Sequence, residues 1–91
     1  MIDKEFKNWL IDNGYKEYTP SGLPSTVFDY VKRINFIINE EHYSSWEDVI
    51  NNIDSLIDLY CEHGAKSELG KKSHNSVISA LRRFKEFLIS K

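Results

Sequence analysis

Between Val27 and Ile38, the residues Val27, Tyr30, Val31, Ile34, Ile37 and Ile38 form a wide apolar stripe along one side of three helical turns. A strand turns successive side chains to opposite faces, so this set would be split between core and water. The segment is therefore predicted to be the central core helix. Nowhere else in the chain does strand-type alternation last long enough to compete with helical spacing. The expectation is an all-α protein, a compact bundle of four or five helices.

The other helices follow from the same spacing. Phe6, Trp9 and Leu10 mark one face of a helix from Asp3 to Asp12, and Gly14 is placed to end it. Tyr15 to Pro24 reads as an ordered loop, since Tyr15, Tyr18 and Leu23 offer anchors that a flexible linker lacks. Ser25 or Thr26 can cap the central helix, and Glu40-Glu41-His42 interrupts its stripe. Ser44 with Glu47 has capping-box spacing. Trp46, Val49, Ile50 and Ile53 follow, then Leu56, Ile57, Leu59 and Tyr60, as one bent helix or as two, with Gly64 closing the stretch. His63 to Lys72 reads as a polar loop. Ser73 is expected to cap a last helix whose inner face carries Val77, Ala80, Leu81, Phe84, Phe87 and Leu88.

Length and composition set the class. Ninety-one residues make one domain, divisible into an N-terminal helix and aromatic loop (1–24) and the bundle proper (25–90). Twelve aromatics against four Gly and two Pro exclude a disordered or collagenous chain. Its apolar runs are too short to span a bilayer, and Met-Ile-Asp-Lys-Glu does not begin a signal peptide. One cysteine, Cys61, excludes an internal disulfide framework and a multi-cysteine zinc site. The expectation is a soluble cytoplasmic domain.

Catalytic chemistry is hard to assemble from these residues. Glycines 14, 22, 64 and 70 stand apart, and Gly70-Lys71-Lys72-Ser73 lacks both the earlier glycine and the preceding strand of a phosphate loop. His42, His63 and His74 are not paired at i, i+4, and Cys61 with His63 is only half of a ligand set. Cys61 reads as a small hydrophobe. The carboxylate pairs Glu40-Glu41 and Glu47-Asp48 sit at helix ends, where acidic residues ordinarily serve as caps and dipole partners. No enzyme activity, cofactor, metal or small-molecule substrate is expected.

Charge is distributed unevenly. Residues 1–62 hold five Lys/Arg against twelve Asp/Glu, a formal −7, whereas residues 63–91 hold seven against two, a formal +5. A basic final third on an acidic body can form an oriented anion-binding surface, or it can simply be a solvated helix. Lys66, Lys71, Lys72, Ser73 and His74 lead into the last helix, where hydroxyls, lysines and first-turn amides together suit a phosphate. An ordinary serine cap among solubilising lysines is the competing account. With a pI of 5.9 the whole chain lacks the excess of a dedicated nucleic-acid binder, so DNA contact is expected to be weak alone or assisted by another domain.

Two stretches resemble a known family. Pro24-Ser25-Thr26-Val27-Phe28-Asp29-Tyr30-Val31-Lys32-Arg33-Ile34 is similar to an early helix of the pattern Thr…Tyr…apolar, and Ser73 to Leu88 is similar to a closing helix of the pattern Asn…Ala-Leu-Arg-x-Phe…Leu. Trp46 to Gly64 fits the helices between them. This order resembles the N-terminal core-binding domain of phage-type integrases (tyrosine recombinases), a SAM-like helical bundle, across most of residues 25–90. In that family the domain clamps double-stranded DNA, largely through the backbone, while a separate domain cuts. The resemblance implies phosphate contacts from Lys71, Lys72, Ser73, His74, Asn75, Arg82 and Arg83, with Thr26, Lys32 and Arg33 as candidates on the second helix. The family's catalytic arginines, histidine and tyrosine nucleophile have no counterpart here. The expected function is thus a non-enzymatic DNA-binding module of a recombinase or another mobile-element protein, either part of a longer protein or a stand-alone relative. The alternative is a protein-interaction module or small phage regulator acting through the acidic face or the aromatic loop.

Overall fold

The chain winds into helices wherever the apolar spacing demands it. The computed structural model describes residues 2–90 and contains α1 (Ile2–Asp12), α2 (Thr26–Glu40), α3 (Trp46–Asn51), α4 (Ile53–Tyr60), α5 (Ser67–Gly70) and α6 (Lys72–Ile89). No strand occurs among these residues, only an isolated bridge between Tyr18 and Pro24. Six helices stand where four or five are expected because two are short. Asn52 separates α3 from α4, and α5 is a single turn inside the stretch read as loop.

Helix ends follow backbone geometry more than side-chain caps. At the end of α1 the Tyr15 N–H donates to the Leu10 carbonyl (3.0 Å) and the Gly14 N–H to that of Ile11 (3.1 Å). Gly14 takes φ +92. This is a Schellman closure, with glycine in the left-handed position that a Cβ would strain. The end of α2 repeats it with His42 at φ +57, as Tyr43 donates to Ile38 (2.9 Å) and His42 to Asn39 (3.3 Å).

Three expected caps are corrected. Ser25 precedes α2 without a side-chain cap bond, and the Val27 N–H instead donates to the Lys16 carbonyl of the aromatic loop (3.1 Å). The carboxylate that reaches back across the start of α3 belongs to Asp48, accepting from the Ser44 N–H at 2.9 Å, and not to Glu47. Ser73 does not cap α6. Ser73, His74 and Asn75 have φ of 54, 60 and 67, one left-handed turn, so the right-handed helix starts at Ser76.

The core forms where α1, α2, α3, α4 and α6 turn their apolar faces inward. Phe6, Leu10, Val27, Ile34, Ile37, Val49, Leu56, Tyr60, Val77, Ile78, Ala80, Leu81, Phe84 and Phe87 are buried. Phe84 is central to an aromatic cluster, 5.0 Å from Phe6, 5.5 Å from Trp46 and 5.9 Å from Phe87 between ring centroids. The first two meet it edge to face, the arrangement in which a positive ring edge faces a negative π-surface. The Trp46 indole N–H donates to Asn35 Oδ1 at 3.0 Å, fixing α3 against α2. With a radius of gyration of 12.7 Å, the fold matches the roughly 12 Å of a compact chain this long.

Close backbone contact explains two glycines. A Cβ on Gly70 would collide with the Tyr60 carbonyl, and one on Gly64 with the carbonyls of Asp58 and Leu59. The first contact holds α5 against the end of α4, and the second folds the loop after α4 back on that helix.

Candidate nucleic-acid interface

The cations of the final third divide between internal pairing and display. Lys66 is used internally: its Nζ lies 2.6 Å from Glu41 Oε2 and 3.9 Å from Glu40. The Tyr60 hydroxyl donates to the same Glu41 oxygen at 2.8 Å, so one carboxylate ties the ends of α2 and α4 to the loop before α5. Burial alone pushes the Glu41 carboxyl up, but hydrogen bonds from Lys66 and Tyr60 outweigh it and hold the group below its ordinary value. Burial and the bond to Glu41 push the Tyr60 hydroxyl well up.

Arginines 33 and 83 are similarly occupied. Arg83 lies 3.1 Å from Glu86 and donates to the Tyr15 hydroxyl at 3.4 Å. Arg33 pairs with Asp29 one turn back, at 3.2 Å. Lys85 pairs with Asp54 across to α4 at 2.6 Å. Much of the basic charge thus faces an acidic neighbour of the same chain, Lys66 and Arg33 in half-buried pairs and Lys85 with Asp54 at the surface.

What stays available gathers around α5 and the start of α6. A cleft of about 180 Å3 is lined by Tyr60, Glu62, Ser67, Gly70, Lys71, Asn75, Ile78, Ser79 and Arg82. Lys71 reaches Glu68 at 3.3 Å, but that pair is solvated, with 58% and 88% of the two side chains exposed, and contributes little. Lys72 is exposed, its Nζ 4.9 Å from the centre of the Phe36 ring. Lys32, also exposed, lies one turn from Phe36 on α2. Ser73, His74 and Asn75 are exposed on the left-handed turn, and Thr26 is half-buried at the start of α2.

Of the eleven residues singled out from sequence, Lys71, Asn75 and Arg82 therefore share one cleft, while Lys72, Ser73 and His74 adjoin them along the chain. Lys66, Arg33 and Arg83 are held by carboxylates. Ser67, Ser79 and Glu62 line the cleft without having been singled out. The four-residue steps of Ser67, Lys71, Asn75 and Ser79 are visible in the sequence. Those steps do not by themselves signal a shared face, because the four residues fall on α5, its end, the left-handed turn and the right-handed helix, and only the folded backbone brings them together.

The aromatic loop divides in the same way. Tyr15 is a lid, its ring centre 5.8 Å from that of Tyr30. Tyr18 leans on Phe28 at 5.4 Å yet stays 53% exposed, and Leu23 is 63% exposed. Bonds from Thr19 N–H to the Leu23 carbonyl (2.8 Å) and from Leu23 N–H to the Thr19 hydroxyl (3.1 Å) hold the loop in one shape.

Cys61 is half-buried, its thiol 3.4 Å from the Asp58 carbonyl. No helix among the described residues is long and apolar enough to cross a membrane. Comparison with protein-family models, curated proteins and solved structures finds no significant match.

Proposed function

We propose that this chain is a non-enzymatic DNA-binding module that holds duplex DNA through its backbone phosphates at the end built from α5 and the start of α6. The observation that carries the reading is the cleft shared by Lys71, Asn75 and Arg82, with Lys72 exposed beside it. Lysine and arginine contribute fixed positive charge, and asparagine and serine contribute neutral donors, the mixture that contacts phosphate and sugar without reading sequence. The likeness of α2 and α6 to helices of the integrase core-binding domain belongs to the same proposal and supports it independently of charge.

The internal pairing limits the footprint, so affinity should be low. Lys71, Lys72 and Arg82 engaging two to three phosphates give a slope of about −1.8 to −2.7 in log K against log salt, a loss of about 12- to 40-fold between ~50 and ~200 mM. Fluorescence anisotropy of a labelled duplex at the two concentrations tests this. A loss of that order is expected; absence of binding at the lower salt overturns the reading.

A second reading rests on Tyr18 and Leu23, two large apolar side chains exposed on a loop held by its own hydrogen bonds. A preorganised pair of this kind suits a protein partner. Tyr18→Ala with Leu23→Ala would abolish such an interaction while leaving duplex affinity unchanged.

A further inference from the structure

The cleft between α4, α5 and α6 is concave and small, whereas a duplex offers a convex row of phosphates. A small cleft of about 180 Å3, partly open to solvent, suits one compact group better than a groove wall does. Its polar lining is mainly donor: Lys71 and Arg82 carry charge, and Asn75 and Ser79 can donate from neutral groups. These four come from a solvated loop, a left-handed turn and a right-handed helix. The lining includes one carboxylate, the exposed Glu62.

We infer that this cleft is a seat for a single phosphoryl group, contacted by Lys71, Asn75, Ser79 and Arg82 and weakened by Glu62. The inference rests on the reading of this end as the DNA-contacting surface and narrows it to one anchored phosphate, the others being held loosely. A phosphate monoester and a DNA phosphodiester share the recognised chemistry. Arginine offers planar paired donors to phosphate oxygens and lysine a mobile point charge. Glu62 makes a distinctive prediction, because removing it should improve binding, which a purely structural residue would not do.

The test is an amide NMR titration of the full chain with inorganic phosphate, AMP and a short duplex, each against chloride at matched ionic strength. Phosphate and AMP should shift Lys71, Asn75, Ser79 and Arg82 saturably, and chloride should not. Arg82→Gln should abolish the saturable response, and Glu62→Gln should tighten it several-fold; both residues are exposed, so folding is unaffected. Competition between AMP and duplex assigns the seat to a DNA phosphate, while AMP binding without competition assigns it to a free phosphorylated ligand. If phosphate and AMP behave like chloride, or neither variant changes the response, the seat is refuted even where duplex still binds. If phosphate is seated but duplex does not bind at ~50 mM salt, the DNA reading falls and the seat stands.

Discussion

Gly70 and the left-handed turn after it show how far single residues set the shape of the candidate interface. The backbone of α5 passes so near the Tyr60 carbonyl that no Cβ fits at position 70. Gly70→Ala should cost about 1–3 kcal/mol, the usual penalty of forcing atoms into packed space, read as a lower denaturant midpoint at unchanged slope. An unaffected midpoint would mean that the two segments do not touch. Ser73 and His74 present the opposite case. Both carry side chains at positive φ, where L-residues are destabilised by roughly 1–2 kcal/mol each and glycine is not. His74→Gly should therefore stabilise by about 0.5–1 kcal/mol after the extra freedom of glycine in the unfolded chain is subtracted. A destabilised variant would contradict the left-handed turn. The sequence shows little of this, because Ser, His and Asn in a row suggest a cap as readily as a turn, and neighbouring backbone decides between them.

At the scale of helices, apolar spacing made most of the fold legible. The faces expected for α1, α2, α4 and α6 are the faces that pack, because period 3.6 leaves one solution for each stripe. Ile78 is buried beyond the expected set, where α6 meets the cleft wall. Phe84→Ala should cost about 3–5 kcal/mol, since it empties the middle of the aromatic cluster, and a variant melting like the parent would refute that packing. Caps were less legible: hydroxyl and carboxylate caps compete with backbone closures, and loop carbonyls such as that of Lys16 satisfy first-turn amides no local rule would match.

The ties between helices also carry a pH dependence. Glu41 accepts from Tyr60 and Lys66, and its carboxyl titrates below its ordinary value in the folded protein. A group whose folded pKa is lowered contributes stability that is fully present above its unfolded value, about 4.3, and is lost as pH falls through the folded value. Unfolding free energy should therefore drop on acidification below about pH 4.5. In Glu41→Gln that part of the acid limb should flatten, and an identical limb in both proteins would remove Glu41 from the account.

For the whole molecule, the balance of charge decides what the fold can bind. Its sequence asymmetry, −7 followed by +5, allows a basic face of modest excess. Folding reduces it, because Lys66, Arg83 and Lys85 meet Glu41, Glu86 and Asp54. Two of these three pairings span more than twenty residues, a separation that a sequence gives no means of reading. Lys71, Lys72 and Arg82 stay on display, and the proposed duplex contact depends on them. The most direct measurement compares duplex affinity at ~50 mM salt for Lys71→Glu/Lys72→Glu and for Lys4→Glu/Lys16→Glu, which change net charge equally at exposed sites elsewhere. The first variant should lose binding and the second should keep most of it, with both melting within a few degrees of the parent. Equal losses in the two variants, or full binding by the first, would contradict a DNA-contacting surface at the α5–α6 end.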